Sequence, residues 1–251
     1  MRILLTNDDG ILAPGLAALY KKLTELGDVT VAAPTHPQSG ASHSVTFFEP
    51  LGCTQVEVPG LFVGYSVHGS PADCVKLAAM QLHDEPIDLV VAGINNGANV
   101  GINVYYSGTV AAAMEAAFLG IPSVALSLAA EREMDFDGAA EHGLDVLNQL
   151  LPLQKGDVIN VNVPRLSQGE PKGVRVVPQA TGGFHEYYIP QKNGASETVF
   201  QLAGGAYRPE AVPVDTATLS EQYITVTPLL ADMTDHDKTR ALKTRLDGPQ
   251  S

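Results

Sequence analysis

The chain of 251 residues is 45% hydrophobic and only 17% charged, the profile of a globular protein able to bury a substantial core. Its formal charge of −13, from 28 acidic against 15 basic residues, opposes binding to duplex nucleic acid or an anionic membrane. No apolar run approaches the roughly 20 residues of a membrane helix. Cys53 and Cys74 match no zinc spacing, and the chain opens on a strand rather than a signal-peptide pattern. Both features lead us to expect a reduced, cytoplasmic protein.

In chain order, RILLT (2–6) reads as a first strand and PGLAALYKKLTELG (14–27) as a helix opened by Pro14. VTVAAP (29–34) is a second strand, followed by the helical pattern SPADCVKLAAMQLHD (70–84). The strand DLVVAG (88–93) precedes the helix SGTVAAAMEAAFLG (107–120). PSVALS (122–127), the helix DGAAEHGLDVLNQLL (137–151) and VINVNV (158–163) complete the series. The strands are rich in Val, Ile and Leu without strict alternation, as strands buried on both faces are. The expected fold is therefore α/β: a three-layer α/β/α sandwich on a Rossmann-like, mostly parallel sheet. Its core spans 1–165 and 220–230 of a single 1–251 domain. Residues 180–215, rich in Gly, Pro, Tyr and Thr and containing ETVFQL, predict a β-hairpin-bearing excursion. YITVTPLL (223–230) predicts one more strand, and 231–251 a polar C-terminal helix or tail.

In such sheets ligands bind at the carboxyl ends of the strands. TNDDG follows the first strand. Asp-Gly favours a hairpin turn, but a helix follows instead of a returning strand, which weakens that reading. Two carboxylates about 5 Å apart repel by roughly 3 kcal/mol at an effective dielectric near 20, a cost that a divalent cation turns into binding energy. Oxygen-only ligands suit Mg²⁺, Mn²⁺ or Ca²⁺. Asp8 and Asp9 are thus either a surface turn or a cation site.

Ser107, Gly108 and Thr109 open a helix. They serve as an ordinary N-cap or as an amide-rich seat for phosphate. The segment lacks GxxxxGK[ST], so it is no triphosphate loop. In INNGANVG (94–101), Asn and Gly suit left-handed backbone, and Asn also supplies neutral ligand oxygens. Ser39, Ser42 and Ser44 lie in the loop after the second strand, where a solvated serine is ordinary. Tyr105 and Tyr106, just before SGT, are better placed than Tyr65 or Phe184 to stack on a base. His43, His68 and His185 carry no assigned role.

Taken together, TNDDG, SGAS (39–42), HGSPADCV (68–75), GINNGANVG (93–101) and YSGTVAAAMEAAFLGIPSVALS (106–127) resemble the SurE family, the survival-protein-E nucleotidases. NVNVP (160–164) and YITVTPL (223–229) extend the resemblance over nearly the whole chain. It implies a metal-dependent phosphomonoesterase that hydrolyses nucleoside 5'-monophosphates, or 3'-monophosphates, to nucleoside and phosphate. It also implies that Asp8, Asp9, Ser39 and Asn95 hold one divalent ion, Mg²⁺ or Mn²⁺. Asn96, Ser107, Gly108 and Thr109 would meet the substrate, with Asn99 a weaker candidate. Ala92 stands where members often have Ser, and Ile102 and Asn103 where many carry acidic residues.

One of Asp8 and Asp9 would take the proton of the attacking water while the other anchors the ion. An aspartyl-phosphate route ranks lower, because the DxD spacing of phosphatases that use it is missing. The alternative function is a non-catalytic, metal-bound nucleotide sensor. A dinucleotide-dependent oxidoreductase fares poorly, since no GxGxxG follows the first strand. The excursion and tail point to a homo-oligomer, a dimer or a tetramer.

Overall fold

The structure, a computed structural model, describes residues 1–83, 85–182, 184–193, 197–207 and 212–246. Parts of the expected excursion (183, 194–196, 208–211) and of the C-terminal tail (247–251) lie outside the described residues, as does Asp84 at the end of the second expected helix. The side chains of Phe184 and His185 are likewise outside the description.

The strands are β1 (Arg2–Thr6), β2 (Asp28–Pro34), β3 (Cys53–Val58), β4 (Phe62–Val67), β5 (Leu89–Asn96), β6 (Ser123–Leu128), β7 (Val158–Val163), β8 (Val174–Val176), β9 (Phe184–Asn193), β10 (Glu197–Tyr207) and β11 (Ile224–Leu229). The helices are α1 (Pro14–Leu23), α2 (Pro71–Leu77), α3 (Gly108–Phe118), α4 (Phe136–Leu150), α5 (Asp215–Ser220) and α6 (His236–Leu246). Among the described residues, nine strands form one sheet in the order β3-β4-β2-β1-β5-β6-β7-β11-β8. Its centre is parallel, while β3 on β4 and β11 on β7 are antiparallel.

Side-chain alternation along each strand loads both faces. Ile3, Leu5, Val31, Leu89 and Val91 point into a core shared with α1 and α4, through Leu16, Leu19 and Leu147. Leu4, Ala32, Val90 and Ala92 point the other way, against Val75 of α2 and Ala112 and Ala116 of α3. Burial on both faces accounts for the unbroken apolar runs of the sequence. The three-layer α/β/α sandwich is therefore present.

Three features were not anticipated, the first being the three-residue edge strand β8 beside β11. The β3–β4 hairpin intervenes between β2 and α2 and makes one edge of the sheet antiparallel. The six-residue α5 lies at the end of the expected excursion. The excursion itself contains the β9–β10 antiparallel pair, which among the described residues joins no strand of the main sheet.

Strand order reverses at the centre. From β1 the chain steps outward to β2 and β4, then returns to lay β5 on the other side of β1. The carboxyl ends of β1 and β5 thus flank the switch point, where a crevice for ligands opens. Residues 7–10 and 97–99 leave the sheet there, just beyond Asn95 and Asn96 at the end of β5.

Candidate functional site

The NDDG segment is a fixed loop and not a hairpin turn. Asn7, fully buried, clamps it from both sides: its amide nitrogen donates to the Gly10 carbonyl at 3.0 Å, and its amide oxygen accepts the Gly10 N–H at 3.1 Å. Asp8 is buried, 4% exposed, and Asp9 beside it is half-buried. The Asp9 Oδ2 atom accepts the backbone N–H of Asn96 at 3.1 Å, which ties the ends of β1 and β5 together.

Asp8 meets the start of α3. The Thr109 hydroxyl donates a short hydrogen bond to Asp8 Oδ1, joining residues 101 apart in sequence. Gly108 explains its own identity, because a Cβ there would fall 2.8 Å from the Asp8 Cβ and 3.0 Å from Pro71. No side chain fits between helix start and carboxylate. Ser107 accepts the Val110 N–H at 3.1 Å, so its hydroxyl is an N-cap. The cap and the approach to the acidic pair therefore coexist in one segment.

Burial pushes the Asp8 carboxyl up to about 6, partly offset by the Thr109 hydrogen bond and reinforced by the charge of Asp9. A carboxylate removed from water with a second carboxylate beside it lacks positive charge, and a cation would supply it. The neighbouring donors are oxygen. Asn95, at the end of β5, spends its amide nitrogen on the Gly97 carbonyl at 2.7 Å, leaving its amide oxygen free of protein donors among the described residues. No group of three or more His, Cys, Asp and Glu side chains able to hold a metal occurs among the described residues. Two carboxylates supplemented by neutral oxygens form the donor set of a hard cation and not of zinc.

Ser39 is exposed on the loop after β2. That loop reaches the site through its backbone: the Gln38 N–H donates to the Asp8 carbonyl at 2.7 Å, and the Ser42 N–H to the Tyr106 carbonyl at 3.1 Å. Asn96 is exposed at the mouth, while Tyr105 and Tyr106 are exposed before α3. Asn99 is different. It is buried and turned away, its backbone N–H donating to Asn162 Oδ1 at 2.8 Å and its side chain to the Ser127 hydroxyl at 2.9 Å. Asn160 and Asn162 of β7 donate to its carbonyl. Asn99 thus anchors the loop, and NVN in β7 is the socket that receives it.

Sequence reasoning missed the supports of this site. Asp73 forms a capping box with Ser70 on α2 and also accepts the Thr46 N–H at 2.9 Å and its hydroxyl at 2.8 Å. The HGSPADCV motif therefore fastens the Ser39 loop. Buried Glu115 of α3 accepts from Lys76 and is paired with His43 at 2.8 Å, the His43 bond foremost in holding its carboxyl below the usual range. Buried Asp215 accepts the Gly101 N–H at 2.9 Å and the Ala180 N–H at 2.9 Å, fixing the far end of the Asn-rich loop. The S-x-x-D spacing of Ser70 and Asp73 was the one readable signal among these.

Comparison with known proteins bears on this arrangement. Residues 3–186 match the family model described as Survival protein SurE. A 5'-nucleotidase SurE of Rhodopirellula baltica is 44% identical over 247 residues, covering 97% of this chain and 98% of that protein. A 5'-nucleotidase SurE of Syntrophus aciditrophicus is 41% identical over 250 residues, 98% of this chain and 94% of its own length. The crystal structure of the SurE protein from Aquifex aeolicus superposes with a TM-score of 0.84 at 34% identity, covering 99% of this chain and 100% of that one.

Proposed function

This chain belongs to the SurE family, and from that premise we propose that it is a 5'-nucleotidase, a metal-dependent phosphomonoesterase releasing phosphate from nucleoside monophosphates. The observation that carries the reading is the Thr109–Asp8 hydrogen bond, which sets the start of an eleven-residue helix against the acidic pair. One locus thus combines amides suited to a phosphoryl group with carboxylates suited to a cation.

Asp8, Asp9, Ser39 and Asn95 are the proposed ligands of one divalent ion, Mg²⁺ or Mn²⁺. Such an ion supplies Lewis acidity toward the phosphoryl oxygen and the attacking water. Asp8, held by Thr109, keeps its carboxylate in a single orientation. Asp9 is less buried and retains Oδ1 for the proton of the incoming water, while its Oδ2 is fixed by the Asn96 amide. Around the helix start, the backbone of Gly108 and Thr109 takes the phosphoryl oxygens as charge spreads over them, with Ser107 beside them as the cap. Asn96, exposed at the mouth, contacts the substrate.

We also propose a homo-oligomer and a cytoplasmic location. Tyr188, Phe200 and Leu202 on β9 and β10 are 64%, 63% and 54% exposed, and a lone two-stranded pair is marginal in water. Both cysteines are free, and no described helix is long and apolar enough to cross a membrane.

The test is phosphate release from nucleoside 5'-monophosphates after chelation, with Mg²⁺ or Mn²⁺ then restored. The wild type should recover turnover, and Asp9→Asn should recover at least about a hundredfold less, the scale of lost acid–base catalysis. A folded protein that binds nucleotide yet turns over nothing with any ion would be the non-catalytic sensor instead.

A further inference from the structure

The loop between β2 and β3 is fastened to α3 at a point remote from the acidic pair. His43 donates through Nε2 to Glu115 Oε2 at 2.8 Å, and the Lys76 ammonium donates to Glu115 Oε1. The His43 ring also stacks on Phe118, 9° from parallel. We propose that His43 is a positioning residue for the divalent ion: by latching the loop to Glu115 it holds Ser39 within reach of Asp8, Asp9 and Asn95. The proposal rests on the metal-dependent reading and deepens it, since His43, Glu115 and Lys76 are not themselves among the proposed ligands.

Ser39 sits between two anchors. On one side the Gln38 N–H donates to the Asp8 carbonyl at 2.7 Å, which brings residue 39 beside the acidic pair. On the other the Ser42 N–H donates to the Tyr106 carbonyl at 3.1 Å, and His43 follows directly. Between the anchors the chain turns through two left-handed residues, Gly40 with φ 71° and Ser42 with φ 55°. Glycine adopts this conformation freely. For a serine it costs about 1–3 kcal/mol and persists only where the surroundings over-determine it. The bonds of Ser42 and His43 supply that determination. Without the His43 bond the turn can relax to an ordinary φ, and Ser39 moves with it.

Helix α3 is common to both halves of the arrangement. Its Thr109 hydroxyl bonds to Asp8, and its Glu115 holds His43 six residues later, about 9 Å along the axis. One helix thus sets the spacing between the Asp8 carboxylate and the loop that carries Ser39. The Glu115 side chain is 4% exposed, and its oxygens are divided, Oε1 to Lys76 and Oε2 to His43. A carboxylate only accepts, so His43 Nε2 carries the proton, while Lys76 balances the buried charge. The latch therefore acts on the ion site through geometry. Outer partners that orient metal ligands in this way typically change metal affinity by about 10–100-fold.

The experiment titrates Mn²⁺ into the chelated protein and follows the electron paramagnetic resonance signal of the free ion, independently of turnover. His43→Ala should raise the Mn²⁺ Kd about tenfold. His43→Gln places an amide nitrogen where Nε2 stands and should bind close to the wild type. Val146→Ala, which thins the core on the opposite face of the sheet, should lower the melting temperature yet leave the Kd unchanged. With a nucleoside 5'-monophosphate, the kcat of His43→Ala should return to the wild-type value once Mn²⁺ is saturating. The proposal is overturned if His43→Ala binds like the wild type, or if His43→Gln or Val146→Ala loses as much affinity as His43→Ala. A kcat that stays low at saturating Mn²⁺ also overturns it, because His43 would then act on the chemistry. A wild type that binds Mn²⁺ but releases no phosphate counts against the phosphomonoesterase reading alone, and the Kd values still decide the latch. A wild type that binds no Mn²⁺ sinks both.

Discussion

Asp8 carries a cost in the metal-free protein that can be measured. Its ordinary value of 3.8 is pushed up to about 6 by burial, so it favours folding only while protonated. That contribution is complete below the unfolded value and is lost as pH rises through the folded one. At 1.36 kcal/mol per unit, chelated wild type should lose about 2 kcal/mol between pH 4 and pH 7 relative to Asp8→Asn, read by chemical denaturation. Adding Mg²⁺ or Mn²⁺ at pH 7 should reverse the loss. Thr109→Val should steepen it, because the hydroxyl that favours the ionised form is gone, while Thr109→Ser should match the wild type. A slope shared by the wild type and Asp8→Asn would show that other groups carry it. The adjacent carboxylates were readable in the sequence because no hairpin could follow them. The role of Thr109 was not, since its partner is 101 residues away and only the folded crevice brings the two together.

Among the elements, the loop carrying Ser39 is the one most dependent on distant support. It is pinned by Asp73 through Thr46, by Ser70 through Ser44, and by Glu115 through His43. The His43 ring also stacks on Phe118 of α3 at 5.3 Å. Glu115→Gln replaces a buried acceptor of two bonds with a poorer one and should cost about 1–2 kcal/mol at pH 7, because its partners are only partly buried. The Glu115 carboxyl is held below its usual range, so this stabilisation is present above that range and lost as pH falls through the folded value. Denaturation curves of the two proteins should accordingly converge in acid and separate near neutrality. The long buried strands and their helices were legible because each face of each strand needed apolar residues. β3 was not, since it is an edge strand whose residues are mostly exposed and therefore leave little hydrophobic pattern. Six-residue α5 is shorter than two helical turns and gives no periodicity to detect.

At the scale of the whole molecule, two facts pull in opposite directions. A formal charge of −13 drives copies of the chain apart, whereas the β9–β10 pair presents apolar side chains to water. Tyr188 lies opposite Leu202 and Pro190 opposite Phe200 in register, so all four share one face of the hairpin. A face of this kind gains stability when covered by apolar surface, and a second copy of the chain brings a matching hairpin. Association between like-charged partners then rests on apolar contact and is opposed by long-range repulsion. That repulsion reaches about 30 Å at 0.01 M salt but only about 8 Å at 0.15 M. Light scattering should accordingly give a larger mass, or a tighter dimer, as salt rises over this range. Phe200→Asp places a charge at the centre of the patch and should shift the protein to monomer at every salt concentration. An unchanged mass for the variant would mean that copies associate through another surface. The acidic charge was readable at once from composition, but the shared apolar face was not, because it exists only once β9 and β10 are paired in their register.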